Sequence, residues 1–136
     1  MGVKIECRYL GDLRCEAVHG PSGVTLHTDA PVDNQGRGES FSPTDLAATA
    51  LATCIMTILG IQARHAQRDF TGMAITVEKH MTTEPPRRIA KLDLWIRMPA
   101  GIEEALRARL IRAAEACPVK QSLHPEITCE LHWQWA

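Results

Sequence analysis

Among its five cysteines the chain has no CxxC spacing. An odd count without that spacing excludes a secreted disulfide framework and a thiolate zinc site, and makes a reducing cytoplasm the natural setting. There is no surplus of either charge: 15 Lys and Arg stand against 16 Asp and Glu. That balance gives no pull toward nucleic acid or an anionic membrane. No apolar h-region opens the sequence, since MGVKIECRYL alternates apolar and polar residues, so no signal peptide is expected. Within the uncharged run that ends at Ala63, the stretch Leu46 to Ile61, at 16 residues, falls short of the about 20 that span a bilayer and reads as a buried core helix. GxSxG is missing, and no Gly-rich phosphate loop follows a strand. His27, His80 and His132 fall opposite the more apolar rows of their strands and read as exposed, while His65 and His124 lie near helix ends. No two His or Cys share close ligand spacing on one element, so neither a metal nor a cofactor is expected.

What is present fits a single α+β domain over residues 1–136. Val3, Ile5, Cys7 and Tyr9 alternate with Lys4, Glu6 and Arg8, and Leu13, Cys15 and Ala17 with Arg14 and Glu16. Turns at Gly11-Asp12 and at His19 to Gly23 separate these strands from a third at Val24 to Thr28, giving an antiparallel meander. Pro31 to Ser40 is a loop that leads into a strong helix start. Ser42 can cap, Pro43 suits the first turn, and Asp45 sits three residues after Ser42 as a capping-box acid. The helix runs to about Gln67. Its rows Leu46-Ala50-Cys54-Ile58 and Ala47-Leu51-Ile55-Leu59 are both apolar, which predicts burial on most sides. Strands follow at Met73 to Thr83 and at Ala90 to Met98. A second helix carries Ile102, Leu106, Leu110, Ala113 and Cys117 on one stripe. Pro118 ends it and can open a short helix through Leu123. A last strand places Ile127, Cys129, Leu131, Trp133 and Trp135 on one face.

A free cysteine is usually a small buried hydrophobe, and Cys7, Cys15 and Cys129 fit that reading on the apolar faces of their strands. Two others stand apart. Cys117 can be the N-cap of the helix that Pro118 opens, where free backbone N–H groups and the nearby Lys120 would lower its pKa. Cys54, the one thiol on the long helix, sits in a dry setting that alone raises a thiol's pKa, so as a nucleophile it needs a nearby cation or donor. Arg37, in the loop before the helix, is the nearest cation along the chain, though a solvated loop charge is its simplest reading. Asp45 is the nearest acid, though the macrodipole favours a first-turn acid without any catalysis. Nine residues of helix rise about 13 Å, so Asp45 cannot touch Cys54 along one straight helix. Both could serve one site only if the chain folds back or a second subunit supplies one of them.

At FSPTDLAATALATC and EACPVKQSL the chain resembles the OsmC/Ohr family of small peroxide-handling proteins, and the order of elements matches along nearly the whole length. The resemblance implies an intertwined homodimer in which antiparallel sheets wrap two long central helices and active sites lie between subunits. It implies that Cys54 attacks an organic hydroperoxide and becomes a sulfenic acid, that Cys117 resolves it as a disulfide, and that a dithiol reductant resets the pair without metal or haem. The sequence departs from the peroxidase members at two places. They carry a glutamate directly after the motif proline, where this chain has Thr44 with Asp45 one residue on. They also carry an arginine in the turn after the second strand, whereas His19 to Gly23 has none, so Arg37 or Arg14 would have to activate Cys54. These departures keep two other readings open: a small-molecule binding protein without turnover, and a different thiol or persulfide exchange.

Overall fold

Alternation in the N-terminal third produces three strands, β1 (Ile5–Gly11), β2 (Arg14–His19) and β3 (Thr25–Asp29), paired antiparallel in that order. The computed structural model describes all 136 residues, and they form two units, Met1–Ala47 and Ala48–Ala136. In the first unit the β1–β2 turn is tight. Gly11, Asp12 and Leu13 all have left-handed φ, at 91°, 53° and 62°, a region that glycine enters without the steric cost Cβ imposes on the other two. The Tyr9 hydroxyl accepts a hydrogen bond from the Leu13 N–H at 3.2 Å and so helps hold the turn.

Arg14 and Asp29 are cross-strand partners on β2 and β3. The Arg14 guanidinium grips the Asp29 carboxylate with two bonds, Nε to Oδ1 at 2.7 Å and Nη2 to Oδ2 at 2.8 Å, and Nη2 also reaches Glu39 at 3.1 Å. The Asp29 side chain is 1% exposed. Hydrogen bonds from Arg14 hold its carboxyl below the usual carboxylate range, against burial, which pushes the other way. The sign of the pH effect follows. The unfolded chain takes up this proton at higher pH than the folded one does. The stability from the pair is therefore fully present above about pH 4 and is lost as pH falls through the lower folded value. In urea unfolding between pH 6 and pH 2, the stability gap between wild type and Asp29→Asn is expected to shrink as the pH drops. A gap independent of pH refutes the assignment.

Apolar alternation in β1 does not bring burial. Ile5 and Tyr9 are 59% and 66% exposed, and Cys7 is exposed rather than buried, because no layer of the same chain covers that row. Cys15 and Cys129 are half-buried.

A capping box starts α1 (Pro43–His65). Ser42 Oγ accepts from the Asp45 N–H at 3.1 Å, and Asp45 Oδ2 accepts from the Ser42 N–H at 2.9 Å. In the second unit α1 buries one face, with Leu51, Ile55 and Leu59 fully enclosed and Ala48, Ala52 and Ala63 beside them. The expected burial on most sides is not reached within one chain: Thr53, Thr57 and Ile61 are exposed, and Ala50, Cys54 and Ile58 are half-buried, since a single chain packs only one side of this helix. By length and composition alone α1 could cross a membrane, with mean hydropathy 1.8 over an 18-residue stretch, yet Leu51, Ile55 and Leu59 belong to the protein core.

The second sheet runs β4 (Ala74–Met81), β5 (Ile89–Met98), β6 (Thr128–Trp135). β5 is central, and Leu92, Leu94, Ile96 and Met98 form the inward row that its period-2 pattern predicts. β6 pairs parallel to β5, so this sheet is mixed rather than antiparallel. The reason is the crossover: α2 (Glu104–Glu115) and α3 (Pro118–Ser122) carry the chain back to the starting end of β5 before β6 begins. In α2 the buried stripe is Leu106, Leu110 and Ala114, with Ala114 in the place expected for Ala113, because i+4 from Leu110 continues the row.

Candidate functional site: a thiol pair

α2 ends at Glu115, where the Ala116 N–H bonds back to the Ala113 carbonyl and the Cys117 N–H to the Ala114 carbonyl. Pro118 has no N–H to offer a continuing helix, so the chain breaks at Cys117 and starts α3. Cys117 is the N-cap, with φ −63° and ψ 143°, and its sulfur accepts the Lys120 N–H at 3.3 Å. The Val119 backbone also pulls this thiol's pKa down.

Cys117 is fully buried, whereas Cys54 on α1 is half-buried. Cys54 is near enough to push the Cys117 thiol up, and both cysteines are free. The expected lowering of the Cys117 pKa by its N-cap position is corrected. Burial pushes this thiol up, and the Lys120 N–H opposes that only in part. The neighbouring Cys54 pushes it up further. Lys120 pairs with Glu115 at 3.0 Å, and its ammonium also acts on Cys129, a thiol that burial pushes up and Lys120 pulls down. Neither the pull of the Val119 backbone nor the nearness of Cys129 to Lys120 was foreseen. The first comes from a backbone group, and the second joins an α3 residue to a β6 residue with no shared sequence pattern.

The other two candidates lie in the first unit. Arg37 donates to Asp12 at 3.0 Å, and both side chains are exposed. Arg14 is engaged by Asp29 and Glu39. Asp45 is engaged in the capping box. Thr44 lies beside it, with its hydroxyl 3.2 Å from that of Ser42.

An α+β chain with a half-buried thiol on its long helix and a fully buried thiol at an N-cap has the parts a redox protein uses. The chain belongs to the OsmC-like family, whose model, OsmC-like protein, matches residues 36–132. Membership supports a redox or peroxide-stress protein. A putative osmotic stress induced and detoxification response protein from Psychrobacter arcticus is 40% identical, with a TM-score of 0.93 over 98% of each chain. An organic hydroperoxide resistance protein OsmC from Legionella pneumophila is 17% identical, with a TM-score of 0.74 over 98% of this chain and 97% of that one. The organic hydroperoxide resistance protein OhrB of Bacillus subtilis is 16% identical, with a TM-score of 0.69 over 98% of each. At those two identities the likeness is one of fold. No curated protein matches the sequence.

Proposed function

We propose that the protein reduces organic hydroperoxides through Cys54 and Cys117 in oxidative or osmotic stress defence. One observation carries this reading: the fully buried N-cap thiol of Cys117 is near enough to Cys54, the one thiol of the long helix, for Cys54 to raise its pKa. The Cys54 thiolate attacks the distal peroxide oxygen, the O–O bond breaks, and the alkoxide leaves as alcohol after taking a proton from water. Cys54 is then a sulfenic acid. The Cys117 sulfur displaces hydroxide from it, and water and a disulfide result. A dithiol reductant returns both thiols and is itself oxidised to a disulfide. A reducing cytoplasm suits this cycle.

The test is a titration of the reduced protein with cumene hydroperoxide, followed by peptide mapping. About one equivalent consumed per chain, with a Cys54–Cys117 disulfide formed, supports the cycle on the balance of the steps above. If both thiols stay free while the peroxide persists, the peroxidase reading fails.

The same proposal includes a homodimer whose subunits share their sites, with Asp45 and Arg37 as supporting charges. The uncovered apolar side chains favour it: Ile5, Tyr9 and Leu26 on the first sheet, Val24 just before β3, and Ile61 on α1 are all at least 43% exposed. Light scattering on the eluted protein is expected to give twice the 15.0 kDa chain mass. A monomer at micromolar concentration removes the shared-site idea.

A further inference from the structure

The outer face of the second sheet gathers metal-ligating groups from three strands. Glu78, Asp93 and Glu130 are aligned across β4, β5 and β6, since Glu78 pairs with Asp93 and Asp93 with Glu130. His80 lies two residues along β4 from Glu78, and His132 two residues along β6 from Glu130, so all five side chains emerge on one face. Asp93 is the hub. Its Oδ1 lies 3.2 Å from His132 Nε2 and its Oδ2 lies 3.3 Å from His80 Nε2. Three carboxylates here face one ammonium, that of Lys91, which bridges Asp93 Oδ2 at 3.5 Å and Glu130 Oε2 at 3.4 Å. With neutral imidazoles the cluster therefore carries excess negative charge.

We propose that Asp93, Glu130 and His132 form a binding site for a divalent transition-metal ion of the zinc class. Their ligand atoms all lie within 4.8 Å of one another. His132 Nε2 is 3.2 Å from Asp93 Oδ1 and 3.8 Å from Glu130 Oε2. Tetrahedral zinc with bonds near 2.0–2.1 Å needs ligand atoms about 3.3 Å apart, so small side-chain rotations close the set and leave a fourth position for water. Nitrogen and carboxylate donors suit zinc-class ions rather than magnesium or calcium. Two features prepare the site. Trp95 stacks on the His132 ring, with centroids 5.2 Å apart and planes at 20°, and so fixes its orientation. Asp93 is 8% exposed and carries its second oxygen toward His80, an outer-shell contact of the kind that orients ligating carboxylates. Lys91 occupies the same electrostatic well and must swing away when the ion enters.

Reading ligand spacing along single elements hides this set, because strand pairing brings its members together. The site plays no part in the thiol cycle, so either proposal stands or falls alone. The test titrates Zn2+ into the reduced protein and follows the histidine ring 15N resonances, which separate this face from zinc bound at the thiols. The His132 Nε2 resonance is expected to move to a metal-bound position and saturate with a Kd tighter than millimolar. His132→Gln is expected to weaken this binding about 10- to 100-fold. Lys91→Met, by removing the competing ammonium, is expected to tighten it severalfold. Zinc that moves only cysteine reporters, binding unaffected by His132→Gln, or weaker binding in Lys91→Met each overturns the proposal.

Discussion

Cys54→Ser is expected to consume no cumene hydroperoxide, where the wild type consumes about one equivalent per chain before any reductant is added. The loss should be complete because serine offers no thiolate to attack the O–O bond. Cys117→Ser is expected to behave differently. Cys54 still meets the peroxide, so the first step proceeds, but the sulfenic acid has no sulfur to displace its hydroxide. It should persist long enough to be trapped by dimedone and then oxidise further to the sulfinic acid. The Cys117→Ser fold should survive, since serine is a favoured N-cap and can accept the Lys120 N–H that the sulfur accepts now. If Cys54→Ser consumes peroxide like the wild type, another thiol is the nucleophile. If Cys117→Ser still forms an intramolecular disulfide, another thiol, such as Cys129 beside Lys120, is the resolving one.

Leu94→Ala is expected to lose about 2–5 kcal/mol of unfolding stability, the range for removing a fully buried leucine side chain from a core that cannot collapse around the gap. Leu94 is 0% exposed on the central strand, paired with Val77 on β4 and Leu131 on β6. A strand held from both sides has little freedom to close a cavity, which argues for the upper part of that range. Urea unfolding measures it directly as a lower midpoint at unchanged slope. A loss below about 1 kcal/mol would show that the inward row of β5 is not a close-packed core.

The sequence disclosed most where one residue type settles the outcome. Pro118 forces a break, so Cys117 was legible as the cap of a new helix. Ser42 with Asp45 announced the start of α1, and the period-2 row of β5 named its buried side chains. It disclosed least where the outcome depends on what lies opposite. The two apolar rows of α1 look alike along the chain, yet Leu51, Ile55 and Leu59 are buried while Ala50 and Ile58 are half-buried, because only one row meets the chain's own core. Cys7 looked like Cys15 and turned out exposed for the same reason. The N-cap position of Cys117 pointed to a lowered pKa, but the depth of its burial, invisible in the string, wins. The parallel pairing of β6 depends on the path of the α2–α3 crossover, which no local pattern encodes.

That parallel pairing also has a bearing on how the protein is made. β6 is the last strand of the chain, and its Thr128 pairs with Lys91 on β5. When the ribosome has released β5, the most apolar strand of the molecule has β4 on one side and a bare edge on the other. The edge stays open until α2, α3 and β6 have all emerged. During that interval the nascent chain presents a free strand edge, which other unfinished chains can pair with. Truncation near the C-terminus would make the interval permanent.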